Sequence, residues 1–172
     1  MAKKRKIDRA VLSSLLRLYL KFGLVLLIFI IAFFLKPVRE RIIAPFTSFV
    51  ALCSSLLMNL FGADSFVHQT FLSTSEYSIN VVDGCNGIYA TAILISGILA
   101  YPSTIKEKVY GVLLGTLAVF ILNLGRVISL FYLGKAYPDI FEEVHIYVWH
   151  PIIILWAIFI WDFWSRKIKK SL

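Results

Sequence analysis

The sequence predicts an all-helical integral membrane protein with four transmembrane helices and one further helix lying in the outer leaflet. Three observations carry that expectation. Of 172 residues, 59% are apolar and only 16% charged, against about 45–50% and about 25% in average soluble chains. The mean hydropathy is +0.82, which leaves too little polar surface to clothe a soluble globule of this size. The apolar residues also fall into runs long enough to cross a bilayer, and most of the 18 Lys and Arg flank those runs. The net charge of +8 therefore reads as a topology signal, not as a nucleic-acid surface.

A crossing needs roughly 17–25 mostly apolar residues, and four stretches supply them: 18–35, 85–101, 109–134 and 148–164. A fifth stretch, 42–62, carries Pro45, Thr47, Ser48, Ser54, Ser55 and Asn59 among its apolar residues. Basic residues decide how it lies, because cytoplasmic flanks are enriched in Lys and Arg. With the N-terminus inside and four crossings, 13 basic residues are cytoplasmic and four are outside (Lys36, Arg39, Arg41 and Lys135). A fifth crossing would change this to eight inside and nine outside. The segment 42–62 is therefore expected to rest in or dip into the outer leaflet. The N-terminal basic region and apolar run read as an uncleaved anchor, since no small-residue cleavage site follows. Residues 63–84 form the one sizeable polar stretch, with an extended piece expected over Tyr77–Val82 ahead of Asp83-Gly84. The whole chain is expected to form a single membrane-embedded domain.

Depth along the spans brings unusual residues together. An ionisable residue inside a span costs at least about 2.5–3.5 kcal/mol on insertion scales and marks a functional site by default. Arg126 lies 18 positions beyond Lys108, roughly 27 Å along a helix, which sets it near the outer boundary. Cys85, 17 positions before Pro102, and His150, 16 positions before Arg166, reach a similar height. His145 lies about one and a half turns further out. A thiol beside a cation or imidazolium becomes an available nucleophile for acyl transfer. A guanidinium holds a carbonyl or an oxyanion, and an imidazole carries the proton to a leaving amine. Asn123, one turn before Arg126, can orient that Arg or donate to the same oxyanion. Gly84 and Gly87 let backbone approach the thiol at a helix start.

Blander roles are open to each residue. Cys53 reads as a small buried hydrophobe, His68 as an ordinary interfacial residue, and the four tryptophans, Trp149, Trp156, Trp161 and Trp164, mostly as interface belt. Arg126 can snorkel or pair with Asp83, Glu142 or Glu143. No Cys-x-x-Cys or His-x-x-x-His spacing appears, so no metal or organic cofactor is expected.

At these residues the chain resembles the exosortase/archaeosortase family of membrane cysteine transpeptidases. The resemblance rests on Asp83-Gly84-Cys85-Asn86-Gly87-Ile88 opening a span, Asn123-Leu124-Gly125-Arg126-Val127 late in the next, and a His just ahead of the last; it covers about residues 80–165. The chain's small size and the segment Phe141–Trp149 are most like the exosortase H subgroup. The resemblance implies a multi-pass enzyme of the bacterial inner membrane whose active site faces the periplasm. Its protein substrates would carry a C-terminal sorting tail consisting of a short motif, a transmembrane helix and a basic cluster. Cleavage near the motif would pass the acyl group to an envelope acceptor. Carried onto this chain, Cys85 is the nucleophile, Arg126 the essential cation and a His the third member. Depth alone favours His150, whereas the family pattern points to His145, which we take as the catalytic His. Asn86, Gly87, Asn123 and His150 are then substrate-binding or supporting residues. Five positions apart on an α-helix, about 140° around, the two histidines are not expected to face one Cys together. Two rivals remain at this level: a non-catalytic assembly subunit using Arg126 to pair with a partner helix, and an envelope redox protein using Cys53 as resolving thiol.

Overall fold

The computed structural model describes the backbone of residues 2–169 and the side chains of residues 11–168. The side chains of Lys3, Lys4, Arg5, Lys6, Arg9 and Lys169, and the whole of Lys170, which contribute to the charge asymmetry, lie outside the described residues. Helix α1 (Ala2–Phe34) ends where Leu35 turns extended ahead of Lys36-Pro37. Helix α2 (Lys36–Leu60) follows directly, with Pro37 in its first turn, where a missing N–H does no harm. Three short strands come next, β1 (Phe66–His68), β2 (Phe71–Ser73) and β3 (Ser78–Asn80), then a 3-10 turn over Asp83–Cys85. Helix α3 (Ile88–Ala100), helix α4 (Ile105–Ala136) and helix α5 (residues 141–169) complete the chain.

The helical membrane class is as expected; the chain is 81% helical. Among the described residues four helical stretches are long and apolar enough to cross a membrane: Val11–Phe34, Lys36–Leu60, Ile105–Ala136 and Pro138–Ile168. The stretch expected as a span over 85–101 contains a helix of only 13 residues, Ile88–Ala100. At 1.5 Å per residue it covers about 20 Å of a layer about 30 Å thick. The shortening has a local cause: Gly87 sits at φ +79°, in the left-handed region, so the α-helix cannot extend back to Cys85.

Between bilayer-spanning helices, lipid is as apolar as leucine, so close packing and small residues hold the bundle together. Helix α3 is the hub, touching α1, α4 and α5. Ala90, Leu94 and Ile98 of α3 bury against Val119 of α4 and against Ile153, Ala157 and Trp164 of α5. At Gly111 a β-carbon would collide with the Trp164 indole, whose N–H donates to the Glu107 carbonyl at 3.2 Å. Trp164 is thus a buried wedge between helices and not part of a lipid-facing belt, because that glycine admits it. The α3–α4 connection is four residues long and closes on a capping box between Thr104 and Glu107.

A second core joins α2, the sheet and the C-terminal half of α4. Val50, Ala51 and Met58 pack with Leu72, Val81, Cys85, Leu124, Val127 and Phe131. Phe46 and Phe49 lie 6.4 and 5.8 Å from the Phe120 ring. At the other end of α2, Ser55 and Asn59 bind Ser65, just ahead of β1. The antiparallel sheet, in order β1-β2-β3, rests on α4 through Tyr77, which meets Phe131 edge-on and touches Gly134. Helix α2 therefore runs from the level of Phe120 toward the level of Phe131. Lys135 pairs with Glu76 beside Tyr77 and holds that carboxyl below its ordinary pKa. This small, exposed contribution is present above the ordinary carboxylate pKa and is lost as pH falls through the lowered one.

Candidate active site

The loop before α3 is fastened from several directions. The Cys85 N–H donates to the Val82 carbonyl at 2.7 Å, closing the 3-10 turn. Asn86 is 1% exposed and works in both directions. Its Oδ1 accepts from the Ile88 N–H at 3.0 Å, and its Nδ2 donates to Thr47 Oγ1 at 2.8 Å. Thr47 in turn donates to the Ile43 carbonyl at 2.8 Å, so α2 is tied to the loop through a buried chain of hydrogen bonds. A β-carbon at position 87 would lie 3.1 Å from Asn123 Cγ, and the positive φ already excludes most side chains. Glycine is needed there on both counts.

Arg126 comes from α4 and is 1% exposed. Its guanidinium donates to Cys85 Sγ at 3.8 Å, and its Nε has no hydrogen-bond partner. Among the described residues it makes no ion pair: Asp83 is engaged by Arg39 at 3.6 Å, and Glu142 faces His145. The pairings expected for a merely structural arginine are therefore not made. Asn123 is fully buried with neither amide atom bonded, so it does not orient Arg126 in this state.

His145 reaches the thiol from the third side. Its Nε2 lies 2.7 Å from Cys85 Sγ, and its Nδ1 lies 3.5 Å from Glu142 Oε2. His150 Nδ1 lies 2.7 Å from the His145 carbonyl oxygen, and the two rings are 4.9 Å apart between centroids. Among the described residues only His145 contacts the thiol, and the two rings lie closer together than a separation of about 140° on a regular α-helix would set them. The reason is a π-helical turn over Val144–Trp149, in which residue i+5 returns over residue i. Pro151 follows one residue after the turn; a proline has no N–H and its ring clashes with the carbonyl four residues back, which disfavours the regular α turn. A second π turn, Arg39–Ile43, precedes Pro45 in the same way. In both places a proline shortly after the turn is the sequence feature that accompanies it.

The structure thus brings Cys85, Arg126 and His145 together, with Asn86 and Gly87 shaping the loop and His150 buttressing His145. Glu142 is the neighbour that the sequence motifs did not single out. Cys53 is a free, partly buried thiol packed at the edge of the second core.

The helix bundle thus presents a thiol with an imidazole nitrogen 2.7 Å and a guanidinium nitrogen 3.8 Å from its sulfur. The family model described as Transmembrane exosortase (Exosortase_EpsH) matches residues 13–163, and the chain belongs to that family. It is also similar to a protein of Methanocaldococcus jannaschii described as a probable archaeosortase E, with 25% identity over 113 residues. The match covers 66% of this chain and 59% of that relative, so the chain spans little more than half the relative's length. No solved structure matches. Family membership and the apolar helices make this a multi-pass membrane protein.

Proposed function

We propose that this exosortase-family protein is a cysteine transpeptidase that cleaves C-terminal sorting tails at the outer face of the bacterial inner membrane. The observation that carries the reading is the Cys85–His145 contact of 2.7 Å with the Arg126 guanidinium 3.8 Å from the same sulfur. In this mechanism the Cys85 proton passes to His145 Nε2, and the thiolate attacks the carbonyl carbon of the scissile peptide bond. Arg126 stabilises the oxyanion of the tetrahedral intermediate. His145 then protonates the departing amine, the C–N bond breaks, and the substrate remains as a thioester on Cys85. An acceptor nucleophile attacks the thioester and gives its proton to His145; the C–S bond breaks, the product leaves with the acyl group, and His145 returns the proton to the Cys85 thiolate, restoring the thiol. The tail, a motif followed by a transmembrane helix and a basic cluster, enters laterally from lipid.

The thioester can be tested by diverting it. Membranes containing the protein and a tail-bearing secreted substrate should release, on addition of hydroxylamine, a shortened product carrying a C-terminal hydroxamate mass. Cleavage with no hydroxamate at any hydroxylamine concentration would contradict a thioester route.

The orientation of α2 belongs to the same proposal. It has the length and composition to cross, yet its packing follows the C-terminal half of α4, and Phe49, Leu52, Leu56 and Leu60 form an exposed apolar stripe. A helix resting in the outer leaflet faces such a stripe to lipid while its other side covers the site. The sheet then lies outside. A thiol introduced as Glu76→Cys in a Cys53→Ala background should react with a membrane-impermeant maleimide in intact cells. Reaction only after the membrane is opened would place the sheet in the cytoplasm and make α2 a crossing helix.

A further inference from the structure

We infer that Glu142 is the positioning residue of the Cys85–His145 pair, the group that holds the imidazole by its Nδ1 edge; this rests on the cysteine-transpeptidase reading. The argument starts from proton accounting. When Nε2 of His145 shares the thiol proton at 2.7 Å, the ring's other nitrogen carries hydrogen. That Nδ1 is buried and has no hydrogen-bond partner among the described residues. A buried N–H without an acceptor is costly, so the ring orientation needs one. Glu142 Oε2 lies 3.5 Å away, within ion-pair range and just outside hydrogen-bond range.

The carboxylate can close that gap. Glu142 sits three residues before His145, on the same helical face, and its side chain is 74% exposed, free to change rotamer, whereas His145 is 14% exposed and held. The groups facing the imidazole are then Cys85 and Arg126 on one side, His150 behind it and Glu142 at its outer edge. Among the described residues Glu142 is the carboxylate placed to accept from Nδ1 and to oppose the charge of the imidazolium that forms when the thiol gives up its proton. Glu143, its neighbour in sequence, makes no such contact.

The test compares Glu142→Ala, Glu142→Gln and Glu142→Asp with a Glu143→Ala control, in the intact membrane protein. Two quantities are read: cleavage of a co-expressed tail-bearing substrate, and the rate at which iodoacetamide alkylates Cys85, resolved from Cys53 by peptide mass spectrometry. Glu142→Ala should lower both by roughly 10- to 100-fold, the range found when the partner that orients a metal-bound histidine is removed. Glu142→Gln and Glu142→Asp, which keep an acceptor, should recover part of each, and Glu143→Ala should leave both unchanged. Wild-type alkylation and cleavage in Glu142→Ala would overturn the assignment, as would Gln and Asp variants no better than Ala. A Cys85→Ala protein that still cleaves would instead remove the transpeptidase reading, leaving the alkylation comparison to judge the Glu142–His145 coupling by itself.

Discussion

Cys85→Ser is expected to abolish tail cleavage, by about 10⁴-fold or more, while the protein accumulates in the membrane at its normal level. The size follows from the chemistry. A serine hydroxyl in the same place needs far stronger activation than a thiol, and removal of a nucleophile that acts as a unit with its base costs nearly the whole catalytic advantage. The fold has little reason to object. Cys85 is one small, 8% exposed member of a nine-residue core cluster, and its loop is held by Val82, Asn86 and Thr47. Cys85→Ala should behave the same way, with loss of substrate cleavage read by gel shift and membrane abundance by immunoblot. The companion Cys53→Ala should retain full activity, because Cys53 is packed into the edge of the core and takes no part in the proposed chemistry. Cleavage surviving Cys85→Ala would favour an assembly subunit, and loss of activity in Cys53→Ala would favour the redox alternative.

Composition and charge made the membrane class and most helices legible, because both follow from the bilayer's demand for long apolar runs with basic cytoplasmic flanks. The ends of those helices were harder to read. Leu35 before Lys36-Pro37 stops α1, and Gly87 at φ +79° cuts α3 to 13 residues; hydropathy averages over such single backbone positions. The sheet was partly visible, as the extended piece around Tyr77–Val82, but β1 and β2 are three residues each and owe their existence to packing over α2. In the site, depth arithmetic brought Cys85 and Arg126 to one level, and the structure sets them 3.8 Å apart. For the histidines a period of 3.6 residues per turn misjudged only how near the two rings lie, because the segment ahead of Pro151 adopts a wider turn that a proline favours. Glu142 could not be found by motif at all; its place is set by the turn before His145.

Arg126→Lys should cut cleavage by roughly 10²- to 10³-fold, the range seen when one oxyanion donor is lost, with little change in the amount of folded protein. Charge is retained in this variant, so a uniform electrostatic role would predict near-normal activity. What lysine lacks is the planar fork: its ammonium is a point donor on a different stem and cannot present several N–H groups to the sulfur and a developing oxyanion at once. Nε of Arg126 is already buried without a partner, an arrangement that carries a free-energy penalty in the resting protein and that a substrate oxygen would relieve. That unsatisfied donor is why the effect should appear in the chemical step more than in substrate capture, lowering kcat more than it raises KM. Arg126→Met, which fills the space without a charge, should be as inactive as Arg126→Lys or worse. It should nonetheless be at least as abundant, since removing a whole buried charge also removes its desolvation cost. Near-wild-type kcat in Arg126→Lys would mean that positive potential alone suffices at this position. Loss of Arg126→Met protein from the membrane would mean that the guanidinium holds the bundle together, and the assignment of Arg126 to the reaction would then fail.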